Sequence, residues 1–318
     1  MITLAEIKAA QQTIRGIAAR TPLLRFLQRG SNGVLHLKLE SFQPIGSFKL
    51  RGAYNKVASL SSEERARGVI TYSSGNHAQG VAYAARAVGA KAVVVMPSSA
   101  PKIKADATRA LGAELDFVGP ASSERQARAE QLAQQHGYCI IPPYNDPLII
   151  AGQGTIALEI LEDLADVTAV LAPIGGGGLI SGVAAALKLT KPAIKVIGVE
   201  PALANDAQQS LQAGKRITLP AEQTSKTIAD GLRTQTVGEL NFEHIRKFVD
   251  RIVAVSEDEI RNAMRRLLLE ARIVAEPSGA VTSAAWFYRQ AELPASERTV
   301  AIVSGGNAEP ALVRELLA

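Results

Sequence analysis

Short β-branched runs that alternate with Ala-rich, helix-forming stretches constrain this chain more than any other feature of its sequence. The pattern predicts strands over 68–72, 92–96, 114–118 and 138–141, with helices over 76–88, 102–111 and 122–136 between them. That rhythm is the signature of parallel βαβ units. A second series starts at Gln153, with a helix over 153–165, a strand over 167–174, a helix over 178–189 and a strand over 194–200. A last apolar strand, 299–304, is followed by Gly305-Gly306-Asn307 and a final helix. Strands apolar on both faces belong in sheets covered by helices.

The two series meet at 141–147 (Ile-Pro-Pro-Tyr-Asn-Asp-Pro), a Pro-rich crossing suited to a domain boundary. A second irregular stretch covers 214–230, and no internal repeat or low-complexity segment is evident. The expectation is two α/β lobes, the smaller one over residues 52–150. At 318 residues the chain sits where single cores usually split, so one large domain or two are both compatible with length.

With 47% hydrophobic and 20% charged residues, disorder, collagen-like structure and coiled coil are excluded. The single Cys139 excludes a disulfide scaffold or a multi-Cys metal site and is compatible with a reducing cytoplasm. A net charge of +5 raises the question of nucleic acid. The bases are scattered, as in Arg261, Arg265 and Arg266, and only 4% of residues are aromatic, so no stacking platform accompanies them. No run reaches the roughly 18 apolar residues of a membrane helix, and the N-terminus carries charges throughout and lacks a signal peptide's apolar core. The expectation is a soluble, cytoplasmic protein with no nucleic-acid or membrane partner.

Three segments can carry chemistry. Lys49 follows a turn at Gly46 and opens a predicted helix within KLESFQPIGSFKLRGA (38–53). An isolated lysine is usually a solvated surface residue. One held near a helix N-terminus among apolar neighbours is pushed toward its neutral, nucleophilic form. SSGNHAQG (73–80) lies between a predicted strand and a helix, the geometry that presents backbone N–H groups to an anion. The alternative there is an ordinary N-cap, with His77 as a local hydrogen-bond partner. Gly175–Gly178 also follow a strand and precede a helix, where four glycines let a backbone wrap a phosphate. They match neither the dinucleotide GxGxxG fingerprint nor the nucleotide P-loop. A flexible linker is a poor account of glycines wedged between an apolar strand and an apolar helix. A lysine, an anion site and a phosphate loop without a nucleotide motif point together to pyridoxal phosphate, which needs a Schiff-base lysine and a phosphate cradle.

The chain closely resembles the fold-type II pyridoxal-phosphate enzymes of the threonine/serine dehydratase and serine racemase family. The markers are KLESFQPIGSFKLRGA (38–53), SSGNHAQG (73–80), AGQGTIALEI (151–160), PIGGGGL (173–179), VEPALAND (199–206), KTIADG (226–231), EPSGA (276–280) and SGGN (304–307). The resemblance implies an α/β, two-lobed fold like that of the tryptophan synthase β chain, each lobe a mostly parallel sheet covered by helices. It implies a discontinuous large cofactor-binding domain, 1–51 and 151–318, and a small domain, 52–150, carrying the substrate-carboxylate loop. Lys49 would be the Schiff-base lysine, with Phe48 packing beside the ring and Asn76 bonding the ring 3-hydroxyl. Gly175, Gly176, Gly177, Gly178 and Leu179 would bind the phosphate, and Ser304 would face the pyridine nitrogen. Ser73, Ser74, Asn76 and His77 would line the pocket for the substrate carboxylate.

A neutral hydroxyl at Ser304 holds the ring nitrogen weakly, which favours rapid loss of a β-leaving group over transamination. The implied reaction removes the α-proton of L-threonine or L-serine with Lys49, expels the β-hydroxyl, and ends in a 2-oxo acid and ammonia. Two features point toward serine racemase. Ser74 stands where that enzyme carries its second acid/base, and Arg125 resembles its arginine near the substrate, with a solvated helix position as the alternative. A 3-hydroxyaspartate dehydratase is a further rival, and a catalytically silent amino-acid or cofactor sensor is the non-enzyme alternative.

Glu200, Ala204 and Asp206 match a divalent-cation site of the racemase-like branch, with oxygen ligands suited to Mg²⁺ or Ca²⁺. Acids placed for a helix dipole are the alternative, and Asn205 replaces a second acid common there. The sequence ends shortly after SGGN, so no C-terminal effector domain and a catabolic role are expected. A homodimer is the expected assembly.

Overall fold

This computed structural model describes residues 1–26, 34–73, 75–119 and 122–317. Its strands are β1 (Leu23–Phe26), β2 (Val34–Leu39), β3 (Val69–Tyr72), β4 (Ala92–Pro97), β5 (Glu114–Val118), β6 (Cys139–Ile140), β7 (Ala169–Pro173), β8 (Lys195–Pro201), β9 (Arg251–Val255) and β10 (Arg298–Val303). They form two sheets. The smaller has the order β5-β4-β3-β6 and is wholly parallel. The larger has the order β1-β2-β10-β7-β8-β9, parallel except for the edge pair of β1 with β2. The chain is therefore α/β, as its alternation predicts.

Side-chain alternation along each strand explains why both faces need cover. In β7, Val170 and Ala172 enter one apolar cluster with the helices Pro147–Asp163 and Gly178–Thr190. Ala169 and Leu171 enter another with the helix Pro277–Tyr288. Val69 and Ile70 of β3 likewise divide between two clusters on opposite faces of the smaller sheet. A strand with no polar face cannot lie at a surface, so helices must pack on both sides.

Two differences from the sequence reading have clear causes. The helix expected over 153–165 starts at Pro147, because Asp146 accepts from the N–H groups of Leu148 and Ile149 and proline suits the first turn. The Pro-rich crossing is thus partly a helix start. β1, β2 and β9 were not read from the sequence at all. β1 is only Leu23–Phe26, too short to stand out, whereas β2 alternates Leu35, Leu37 and Leu39 with His36 and Lys38, a strand pattern that the sequence did carry.

The connections place the functional loops together. β7 passes through a helix to β8 on one side, whereas β10 sits on the other side of β7. β10 is the last strand, so the loops that follow β7 and β10 lie side by side at the carboxyl edge of the sheet, the usual ligand position in open parallel sheets. The glycine loop follows β7 and Ser304 follows β10.

Close helix crossings fix the crevice walls. A Cβ on Gly152 would lie 2.6 Å from the Cα of Gly52, and one on Gly182 would lie 2.2 Å from the Ile150 carbonyl. The glycines of the AGQG stretch thus let the Lys49–Ala58 and Gly178–Thr190 helices press against Pro147–Asp163. Buried charge ties the same elements. Arg51 bonds Glu40 through Nε and Nη2 (both 2.8 Å) and Glu159 through Nη1 (2.7 Å), while Lys38 Nζ reaches Glu159 at 2.6 Å.

Candidate active site

Lys49 is held at the end of β10 by backbone pairing. Phe48 N donates to the Ser304 carbonyl at 3.1 Å, Gly306 N donates to the Gly46 carbonyl at 2.9 Å, and Ser47 bridges Gly305. Gly46 has φ +70°, and a Cβ there would lie 2.4 Å from Asn307 Oδ1, so the turn before the lysine requires glycine. Lys49 is the first residue of its helix, and its Nζ donates to the Pro143 carbonyl at 2.7 Å. Phe48 lies beside it, with its ring centroid 5.3 Å from Nζ. Burial pulls the Lys49 ammonium down to about 8. A sizeable fraction of this amine is therefore neutral near physiological pH, unlike an ordinary lysine.

The SSGNH segment follows β3. Ser73 N donates to the Val95 carbonyl at 3.1 Å, and Ser73 Oγ accepts from Gly75 N at 3.3 Å. Ser74 lies outside the described residues. Asn76 opens the helix Asn76–Ala87 and is bonded at both ends of its amide, by Asn307 and by Glu276. His77 is buried, its Nε2 3.1 Å from the Ile141 carbonyl, and Nδ1 has no partner among the described residues. Burial, reinforced by the nearby Lys49 charge, holds this imidazole down to about 3, so it is a neutral ring at working pH. Arg125 is part-buried on the helix Ser122–His136, which packs on the smaller sheet, and burial lowers its guanidinium from the ordinary value.

The glycine loop joins β7 to the helix Gly178–Thr190. Gly177 has φ +92°, and its Cβ would lie 2.8 Å from Asn241 Cβ. A Cβ on Gly176 would meet the Tyr144 ring at 2.2 Å. The backbone is thus bare on the side that faces the 141–147 strap. Gly178 and Leu179 are in the first helical turn, whose N–H groups have no intrahelical acceptor. Gly238 N braces the loop by donating to the Gly176 carbonyl at 3.1 Å. Ser304 is 4% exposed, and among the described residues its hydroxyl makes only a long 3.4 Å contact to the Ser278 carbonyl, leaving it available to another partner.

Lys49, Asn76, Ser304 and the glycine loop therefore converge, by way of Asn307, Pro143 and Tyr144. Sequence reasoning missed Pro143 and Tyr144, which it took as a linker, and a buried group of Lys104, Asp230 and Glu276 behind Asn76. Glu276 and Asp230 did lie inside noted motifs, EPSGA and KTIADG, but nothing local marked their partner.

The acidic cluster stands apart, at the end of β8. Glu200 is fully buried and accepts from the N–H groups of Ala207 (3.0 Å) and Gln208 (2.8 Å), so it caps the helix Asp206–Ala213. Asp206 is also fully buried, and among the described residues its oxygens meet only poorly aligned donors, the backbone N–H groups of Val237 and of Asp206 itself. Burial pushes Asp206 up to about 7, and burial followed by the Asp206 charge pushes Glu200 well above the carboxylate range. Ala204 closes the turn Ala202–Ala204 between them. Among the described residues no group of three or more His, Cys, Asp or Glu side chains is placed to hold a metal.

The sequence model for pyridoxal-phosphate-dependent enzymes matches residues 14–305. This chain belongs to that family. Its glycine loop, bare of side chains beside first-turn N–H groups, and its amine near neutrality fit a phosphate-bearing aldehyde cofactor. It is 45% identical over 320 residues to the L-threonine ammonia-lyase of Thermotoga maritima, covering 100% of this chain and 78% of that protein. Among solved structures, a threonine deaminase from T.th. superposes with a TM-score of 0.91 at 43% identity, covering 97% of this chain and 99% of the other. Maize serine racemase superposes with a TM-score of 0.94 at 36% identity, covering 99% and 96%. The family membership and these likenesses establish the fold-type II architecture expected from the motifs. Among the described residues no helix is long and apolar enough to cross a membrane.

Proposed function

We propose that this protein is a pyridoxal-phosphate-dependent ammonia-lyase that converts L-threonine and L-serine to the 2-oxo acid and ammonia. One observation carries the reading most directly. A lysine amine lowered to about 8 starts a helix whose N-terminal segment pairs with Ser304, a neutral residue where a carboxylate would give a stronger electron sink. The L-threonine ammonia-lyase relative supports the substrate class.

In this reading the N–H groups of Gly175 to Leu179 bind the phosphate, Phe48 packs beside the ring and Asn76 donates to the ring 3-oxygen. Ser73, Ser74, Asn76 and His77 receive the substrate carboxylate at a helix N-terminus, where the dipole favours an anion, and Arg125 completes that side. The cofactor, when bound, withdraws electrons from the bonds at the substrate α-carbon. Lys49 Nζ, in its neutral form, takes the α-proton and holds it. Tyr144 and Pro143 roof the crevice and keep bulk water from that amine. The neutral hydroxyl of Ser304 stabilises a protonated ring nitrogen poorly, so departure of the β-hydroxyl outruns other fates. Residues 52–150 act as the unit that carries the carboxylate loop, in a cytoplasmic homodimer.

The reading extends to a Mg²⁺ or Ca²⁺ ion held by the Glu200 and Asp206 carboxylates and the Ala204 carbonyl. The buried Asp206 carboxylate supports it, since among the described residues it meets no well-aligned donor, and a cation would satisfy its charge. Such an ion would be structural, neutralising the pair next to the glycine-loop strap.

The test is release of 2-oxo acid from L-threonine, L-serine, D-serine and both 3-hydroxyaspartate diastereomers, with chiral analysis of the remaining substrate. Turnover of L-threonine and L-serine, lost in Lys49→Ala together with the borohydride-sensitive visible band, supports the proposal. Inert L-threonine and L-serine would sink it, and D-serine formation without 2-oxo acid would assign the protein to racemisation.

A further inference from the structure

Behind Asn76 lies a charged group that joins the two sheets. Lys104 belongs to the helix Lys102–Ala110, between β4 and β5, and is only 3% exposed. Its Nζ donates to Asp230 Oδ2 at 2.6 Å and to Glu276 Oε2 at 3.0 Å. Both carboxylates come from the chain that packs around the larger sheet. Glu276, 1% exposed, precedes the helix Pro277–Tyr288, and its Oε1 accepts from Asn76 Nδ2. The lysine stem also lies under the substrate-loop backbone, since a Cβ on Gly75 would come within 2.7 Å of Lys104 Cδ.

The hydrogen-bond roles here leave one orientation for Asn76. Asn307 Nδ2 donates both to the Ile45 carbonyl (2.9 Å) and to Asn76 Oδ1 (2.9 Å). A carbonyl only accepts, so the Asn307 amide cannot be turned over, and Asn76 Oδ1 must face it. An ionised Glu276 also only accepts, so one Asn76 Nδ2–H is committed to it. What remains is the second Nδ2–H, a donor.

We propose that Lys104 and Glu276, with Asn307, are positioning residues that lock the Asn76 amide so that it offers only a donor to the 3-oxygen of the cofactor ring. This inference rests on the placement of Asn76 beside that oxygen given under the proposed function. Lys104 is the partner that keeps Glu276 an acceptor. Burial and the Asp230 charge raise the Glu276 carboxyl, and the Lys104 ammonium opposes them. Without that ammonium nothing offsets the burial that raises the carboxyl, so Glu276 no longer holds Asn76 Nδ2 as a pure acceptor and Asn307 alone is left to orient the amide. The lysine comes from the smaller sheet while the asparagine opens a neighbouring helix there. The acceptor between them comes from the other side, so the lock forms only when both halves are packed together.

The experiment is a double-mutant cycle on cofactor binding, read by titrating apoprotein with pyridoxal phosphate and following the visible band. Lys104→Met and Asn76→Ala should each weaken binding about tenfold and shift the band, and the double variant should be within about twofold of Asn76→Ala alone. If the two effects multiply, Lys104 acts through general stability and the proposal is overturned. Should Lys104→Met fail to fold, Asn307→Ala takes its place in the same cycle, with the same expected non-additivity and the same refutation. A wild-type protein that gives no borohydride-sensitive band would remove the cofactor reading and this inference with it. An intact wild-type band with multiplicative effects removes the inference alone.

Discussion

Asp206→Asn separates a cation-binding carboxylate pair from an ordinary helix cap. Burial raises Asp206 from its usual 3.8 to about 7, so in the absence of a cation the folded state holds a proton that the unfolded chain has released. The contribution to stability is complete below pH 4 and is lost as pH rises toward 7. Each pH unit well below 7 costs about 1.4 kcal/mol and the slope falls off near 7, so between pH 5 and 7 the wild type should lose about 2.3 kcal/mol relative to Asp206→Asn. Unfolding entropy of about 2.1 cal/mol/K per residue gives about 0.7 kcal/mol/K for 318 residues, so the gap corresponds to about 3 °C in Tm. The two carboxyls titrate as a pair, so the change is spread over the window rather than centred on one residue. The assay is thermal unfolding of both proteins across pH 5 to 8, in EDTA and in millimolar Mg²⁺ or Ca²⁺. In EDTA the variant should gain on the wild type up to pH 7 and hold a constant lead above it. A bound divalent cation replaces the proton, so it should raise the wild-type Tm at pH 8 and leave the variant unchanged. Parallel pH curves in EDTA would refute the burial argument, and a wild type indifferent to both ions would refute the cation site.

Three further outcomes follow from the geometry. Because the Lys49 amine lies near 8, capture of pyridoxal phosphate by apoprotein should accelerate about tenfold per pH unit below 8 and level off above it, whereas a lysine at its usual 10.5 would keep accelerating past pH 9; stopped-flow absorbance distinguishes the two. Gly176→Ala puts a methyl 2.2 Å from the Tyr144 ring, so cofactor affinity should fall at least about tenfold with far-UV circular dichroism unchanged, and unaltered affinity would contradict the cradle. Arg51→Met leaves buried Glu40 with only the neutral donors of Thr21 and Gln43 and Glu159 with Lys38, which should cost about 3–5 kcal/mol in denaturant unfolding; a loss under about 1 kcal/mol would mean that the pair contributes little.

Much of the site could be read from local sequence because its parts are loops between a strand and a helix. Asn76, Gly175–Gly178 and Ser304 each stand just past the end of a strand and Lys49 opens a helix after the Gly46 turn, and their residue types announce an anion, a phosphate or a nucleophile. Lys104 could not be found in the same way. Its helix, KIKADATRA, has the composition of a solvated surface helix, yet Lys104 is buried while Lys102 two residues earlier is exposed. Only two carboxylates more than a hundred residues away make that burial tolerable. Tyr144 was hidden by a different cause, since a Pro-rich crossing looks like a linker whether or not it folds back over a glycine loop.

The strand–helix alternation by itself determined a parallel, two-faced α/β chain, because strands without a polar side must be covered by helices. It also determined which residue types would be available for cofactor chemistry. The tertiary structure alone decided that β10 returns to the far side of β7, and that return brings Ser304 and Lys49 to the glycine loop. It also decided which charged groups lose their water. Lys49, Lys104, Glu276 and Asp206 are ordinary ionisable residues in the sequence. Desolvation, which depends on every element packed around them, is what brings one amine and one carboxyl close to neutrality.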